Sequence, residues 1–122
     1  MMPFTPKLNH EDLDVYRASI EFAALAVALV EKFPRGHAPI ADPLRRAAFS
    51  IPLNIAEGYG KRTDADRSRS YDIAYDIGRH SAHQCGAIWD VAKLLGLLDE
   101  AQYLNGKILL HRIVSMWVKM TA

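Results

Sequence analysis

The chain has 122 residues, the size of one ordinary domain, and is long enough to bury a core without disulfides or a metal. Its 15 basic residues against 14 acidic ones leave no global field to attract nucleic acid, so any such contact needs a local patch. Half of the residues are hydrophobic, as in an ordinary globular protein, and the single cysteine, Cys85, excludes an internal disulfide and fits a reducing compartment.

Residues 1–8 carry two prolines and read as an irregular lead-in. They lack a basic start followed by a long apolar run, so no signal peptide is expected. No stretch has the roughly 18 consecutive apolar residues of a membrane span, and a cytoplasmic location is the expectation. Asn9 is the expected N-cap of the first helix, with Asp12 in the capping-box position. The helix should run to Phe33, where Pro34 ends it. Leu13, Tyr16, Ile20, Ala23, Ala24, Val27 and Val30 form its main apolar stripe. Phe22, Ala26, Leu29 and Phe33 form a second, and a helix this widely apolar has neighbours on two sides.

Asp42 followed by Pro43 is the expected start of helix two, although a helical turn beginning at Pro39 also fits. Gly58 and Gly60 are its C-cap candidates. Helix three is expected from Thr63 or Asp64 to about Leu95, long for a globular protein. Tyr71, Tyr75, Gly78, Ala82, Cys85, Trp89 and Ala92 alternate spacings of four and three, the seam of a left-handed bundle. Gly96 stops it, and Asp99 with Gln102 is a capping box for helix four. Helix four presents Leu109, Ile113, Met116 and Met120, flanked by Leu110, Val114 and Trp117. With no period-two alternation anywhere, the expectation is an all-α, single-domain, up-down-up-down four-helix bundle over residues 1–122.

The most informative stretch is RRAAFSIPLNIAEG, residues 45–58. Leu44, Ala47, Ala48, Ile51, Ile55 and Tyr59 recur at helical spacing, and so do Arg46, Ser50, Asn54 and Glu57 on another face. Pro52 lies between the two stripes. It cannot donate to Ala48, a defect costing about 3 kcal/mol inside a helix, so a kink that follows a neighbouring helix is expected. Ser50 or Asn54 is expected to bond the carbonyls so freed. The polar stripe is expected to fix register between helices or subunits, the alternative being a polar binding site on the bundle.

Leu44–Gly60 resembles the signature of the four-helix-bundle family of 23S rRNA-intervening-sequence proteins. The match is carried by Arg45, Arg46, Ala47, Ser50, Ile51, Pro52, Asn54, Ile55, Ala56, Glu57 and Gly58. Phe33-Pro34 and the turn Leu94-Leu95-Gly96-Leu97 add to it. The resemblance implies a bundle without an assigned activity. Some members of that family are encoded inside insertions in the large-subunit ribosomal RNA gene. It also implies homo-oligomers, with pentameric rings the typical form. A related branch accompanies reverse transcriptases of diversity-generating retroelements, where a basic pentamer contacts nucleic acid. Family members often carry Gly-Ser on helix three with Glu three residues on. This chain has His80 and Gln84 in those places, with Ser81 kept.

Other chemistry is sparse. Asp76, His80 and His83 share a helix face, but no Glu-x-x-His pair of the di-iron bundle type occurs. Cys85 on the apolar seam reads as a small hydrophobe. Arg45, Lys61, Arg62, Arg67 and Arg69, interleaved with Tyr59 and Tyr71, form the best nucleic-acid patch, diluted by Asp64, Asp66 and Asp72. The expectation is a non-enzymatic scaffold or interaction protein, with no catalytic residue, cofactor or metal. Its partner is a copy of itself, a homopentamer by family likeness, with weak RNA or DNA contact and no membrane. The alternatives are a nucleic-acid-binding accessory protein and a metal-dependent bundle enzyme.

Overall fold

The computed structural model describes the backbone of residues 5–59 and 64–121, and the side chains of residues 5–59 and 76–116. A short 3-10 turn, Asn9–Asp12, leads into four helices: α1 (Asp14–Val30), α2 (Ala38–Tyr59), α3 (Asp64–Leu94) and α4 (Glu100–Thr121). Among the described residues there is no strand.

The helix ends follow from local hydrogen bonding. The N-cap of α1 is Leu13 and not the expected Asn9, because a separate 3-10 turn comes first, in which the Leu8 N–H donates to the Glu11 carboxylate at 2.6 Å. That bond closes the 3-10 turn. Leu13 is then extended at φ −75° and ψ 129°, so α1 starts only at Asp14. The far end of α1 comes three residues before Phe33. There the Lys32 and Phe33 N–H groups reach back only three residues, to Leu29 and Val30, and tighten the last turn.

Helix α2 begins before Asp42, because the His37 carbonyl accepts from the Ile40 and Ala41 N–H groups at 3.1 and 2.9 Å. Pro39 falls in the first turn, where its missing donor is no loss. Asp42 sits inside the helix and pairs with Arg45 at 3.1 Å. Nor does Gly58 end the helix; it is buried in the last described turn, and α2 runs on to Tyr59. Gly60 lies outside the described residues.

Helix α3 ends as the sequence leads one to expect. Gly96 takes φ +75°. The Leu97 N–H reaches the Ala92 carbonyl at 2.9 Å and the Gly96 N–H reaches Lys93 at 3.0 Å, a Schellman motif. The Asp99–Gln102 capping box forms in both directions, at 2.7 and 2.9 Å.

Each helix packs on its neighbours in sequence, and α4 closes back on α1. Lys93 pairs with Glu100 and Asp90 with Lys107, so α4 runs antiparallel to α3. The diagonal is bridged by side chains: the Phe22 and Trp89 rings lie 5.4 Å apart at the centre. Around them Leu44, Ile51, Ile55, Ile113, Val15 and Cys85 are buried. In α1 Phe22, Ala26 and Leu29 of the second stripe fill the core together with Ala23 and Val30 of the main stripe, while Ile20 and Ala24 of the main stripe are exposed. The described part of the α3 seam, Gly78 to Ala92, is buried throughout. Trp117 and Met120 lie outside the described side chains.

Candidate functional site

A concavity between α1 and α2 follows from residue size. Along α1, Ala23, Ala24, Val27 and Ala28 are small. Opposite them Pro52 and Ala56 on α2 are small too, so the two helices leave a groove of about 750 Å³ between them. Tyr16 and Ile20 extend it at one end and Glu31 at the other, with Phe49 and Leu53 along its rim. Glu31 is the one charged residue of the lining. Ile20, Phe49 and Leu53 are 45%, 43% and 67% exposed, so the groove is an open apolar surface.

The polar stripe of α2 lies on that helix's other flank, toward α3. The Asn54 amide donates to the Ser50 carbonyl at 2.7 Å and to the Ser50 hydroxyl at 3.1 Å. The Ser81 hydroxyl of α3 donates to the Ser50 hydroxyl at 2.9 Å. These three side chains thus form one cluster joining α2 to α3. Arg46 and Glu57 are exposed and stand outside it. The carbonyl that Pro52 leaves without its helical donor belongs to Ala48, and Asn54 reaches a different one. Pro52 itself is buried within a helix that continues through it.

The side of the bundle formed by α3 and α4 is closed by a third group. Gly106 is buried against the Trp89 indole so tightly that a Cβ there would fall on the ring, well inside 3.0 Å. The indole N–H donates to the Tyr103 carbonyl at 3.0 Å. The Tyr103 hydroxyl donates to Asp90 at 2.7 Å, and Lys107 reaches the same oxygen at 3.2 Å. Lys93 pairs with Glu100 at 2.6 Å and stands 4.4 Å from the Tyr103 ring centre. The Tyr103 hydroxyl, then Lys107, hold the Asp90 carboxyl below its ordinary range. The same bond raises Tyr103, and Glu100 raises Lys93. A smaller cleft of about 430 Å³ beside this group is lined by His83, Asp90, Lys107 and His111 among apolar residues.

Asp76, His80 and His83 are each exposed, and among the described residues no three His, Cys, Asp or Glu side chains converge as metal ligands do. Cys85 is buried, and burial pushes its thiol up to about 12, far from a thiolate nucleophile. In the basic patch, Arg45 is engaged by Asp42. Lys61 and Arg62, and the side chains of Arg67, Arg69 and Tyr71, lie outside the described residues. Sequence reasoning passed over Gly106 and Tyr103. A lone glycine in the middle of a helix was the available signal, since its cost is tolerated where a bulky neighbour needs the space.

No curated protein matches this chain. Among solved structures, a protein with unknown function from the S23 ribosomal protein family of Bacteroides thetaiotaomicron VPI-5482 is similar. It is 21% identical and aligns over 88% of this chain and 94% of its own, with a TM-score of 0.69. At that identity the likeness speaks for the fold. Residues 11–119, from the 3-10 turn through nearly all of α4, match the 23S rRNA-intervening sequence protein family, and the chain belongs to that family.

Proposed function

We propose that this protein is a non-enzymatic, homo-oligomeric scaffold. The observation behind the reading is where apolar and polar groups are placed. The 750 Å³ groove offers apolar surface with one charge at its end. The polar cluster of the described α2–α3 flank, by contrast, directs its hydrogen bonds at itself. In the 430 Å³ cleft Asp90 and Lys107 are engaged by Tyr103 and by each other, whereas open apolar surface drives association. Ser50, Asn54 and Ser81 then serve register between α2 and α3, and the family resemblance favours five copies in a ring.

Light scattering on the full chain at micromolar concentration tests this. The expected mass is several times 13.7 kDa. A monomer overturns the reading. Adding RNA at low and at physiological salt separates the nucleic-acid alternative. A salt-sensitive shift that vanishes when Lys61, Arg62, Arg67 and Arg69 are changed together would replace the scaffold reading with an accessory-protein role.

A further inference from the structure

Two glycines in the interiors of neighbouring helices are used differently. The space over Gly106 of α4 is taken by the Trp89 indole. Over Gly86 of α3 a Cβ would meet, among the described residues, only the Lys107 ammonium, at 3.9 Å. Glycine is costly inside a helix and serves where a neighbour or a ligand must approach the backbone closely. Gly86 lines the 430 Å³ cleft between α3 and α4, with Ala82 and Ala87 beside it and Leu110 and Val114 from α4. His83, Asp90, Lys107 and His111 are the polar residues of that lining. We propose that the cleft binds a small carboxylate with an apolar body, the body against Gly86 and the carboxylate on Lys107.

The chemistry of the lining selects the ligand class. The ammonium is set in place by the protein itself. Its Nζ bonds Asp90 Oδ1 at 3.2 Å and stands 5.7 Å from the Tyr103 ring centre, and the Tyr103 hydroxyl holds Asp90 Oδ1 at 2.7 Å. One of its three N–H groups is thereby used, and the other two have no acceptor among the described residues. His83 and His111 are exposed, and neither makes a hydrogen bond or ion pair with a described residue. Each imidazole carries at least one N–H. The unmet polar groups are therefore mostly donors, which a carboxylate, an acceptor only, satisfies. Asp90, the one acid of the described lining, has both of its bonds on a single oxygen and is already partnered. The remaining lining is apolar, so a free phosphate would leave it uncovered, whereas an apolar body buries it. The volume lies in the roughly 300–1,000 Å³ range of small-molecule pockets. An engaged Asp90–Lys107 pair is unsuited to proton transfer but suited to holding a fixed charge, so binding here needs no catalysis.

Benzoate is the probe, titrated into the full chain at neutral pH while NMR follows the imidazole C–H signals. Those of His83 and His111, assigned with His83→Gln and His111→Gln, should move saturably in the millimolar range. Those of His10 and His37 should stay. Benzamide keeps the ring without the charge, and acetate keeps the charge without the ring. Each should bind about tenfold more weakly than benzoate, the scale of one lost bond to a charged group. Gly86→Leu fills the cleft and should weaken benzoate by about tenfold or more with helicity unchanged by circular dichroism. Lys107→Met keeps the stem and removes the ammonium, so benzoate should then bind no better than benzamide. A wild type whose His83 and His111 signals do not saturate overturns the proposal. Equal affinity for benzoate and benzamide overturns the carboxylate assignment, and full affinity in Gly86→Leu overturns the location. Should Gly86→Leu lose helicity, Gly86→Ala is read the same way. Light scattering reads self-assembly separately, so failure here leaves the scaffold reading untouched.

Discussion

Between α3 and α4 the chain completes its own contact. Gly106 admits the Trp89 indole, Tyr103 takes the indole N–H on its carbonyl, and Asp90 gathers the Tyr103 hydroxyl and Lys107 at the rim. Between α1 and α2 small residues also bring the two helices together, but small residues face small residues there, and a groove of about 750 Å³ is left. A small side chain therefore has two opposite uses in this molecule. Facing an aromatic ring it makes a close-packed joint; facing its own kind it makes a vacancy that the chain itself does not fill. The first use stabilises the bundle, and the second presents a surface.

The largest expected contrast is kinetic. Burial raises the Cys85 thiol to about 12, so its thiolate fraction at mild pH falls far below that of an exposed cysteine. A thiol reagent should therefore label Cys85 at the pace at which the core opens. In a chain with Cys85→Ala and Leu53→Cys, the groove thiol of the monomeric protein should react at the rate of a free cysteine. Rapid labelling of Cys85 in the folded protein would show that the α3 seam is not closed as described.

Next comes Gly106→Ala. The new methyl must displace the indole or part the helices, an overpacking penalty of about 1–3 kcal/mol, and the roughly 1 kcal/mol gain in helix propensity offsets it only in part. Thermal melting should show a clear fall in Tm, and Cys85 labelling should quicken with it. Leu53→Ser, on the open side, should shift monomer stability by no more than about 0.5 kcal/mol. Equal Tm values for Gly106→Ala and wild type would erase the distinction between the two helix pairs. Ser81→Ala should fall between these. It removes one part-buried hydroxyl bond to Ser50, worth about 1 kcal/mol, and denaturant titration reads it directly.

The four helices were legible because their signals are local. Gly96 ends α3 with a positive φ, and Asp99 with Gln102 caps α4. The starts of α1 and α2 were less so. Glu11 bonds the Leu8 N–H in a 3-10 turn that precedes α1, so α1 begins only after the extended Leu13, and His37 supplies a carbonyl that lets α2 begin ahead of Asp42. A capping-residue pattern does not reveal whether the turn it closes continues as an α-helix. Within the α2 stripe, Ser50 and Asn54 meet Ser81 while Arg46 and Glu57 face solvent. Spacing along one helix places residues on a flank, but the depth of each depends on where α3 lies, and that is a property of the assembled bundle. Gly106 escaped for the same reason, since its role is defined by an indole seventeen positions away on another helix.

The smallest effect expected is in pH dependence, and it belongs to the closed side alone. Asp90 is held below its ordinary range, first by the Tyr103 hydroxyl and then by Lys107. Its contribution to stability is therefore complete above the unfolded carboxylate value of about 3.9 and is lost as pH falls through the lower folded value. Tyr103 and Lys93 are raised, by Asp90 and Glu100 respectively. Their contributions are complete below the unfolded values near 10 and are lost as pH rises through the folded ones. Because these groups are exposed, both shoulders should be shallow and should flatten further in high salt. Tyr103→Phe should remove the hydroxyl that does most to depress Asp90, so carboxyl titration by NMR should show Asp90 moving up toward the ordinary range. Leu53→Ser should leave that titration where it was. An Asp90 titration unmoved by Tyr103→Phe would mean that the hydroxyl bond is not what holds the carboxylate, and that the rim of α3 and α4 is looser than the Trp89–Gly106 joint beneath it.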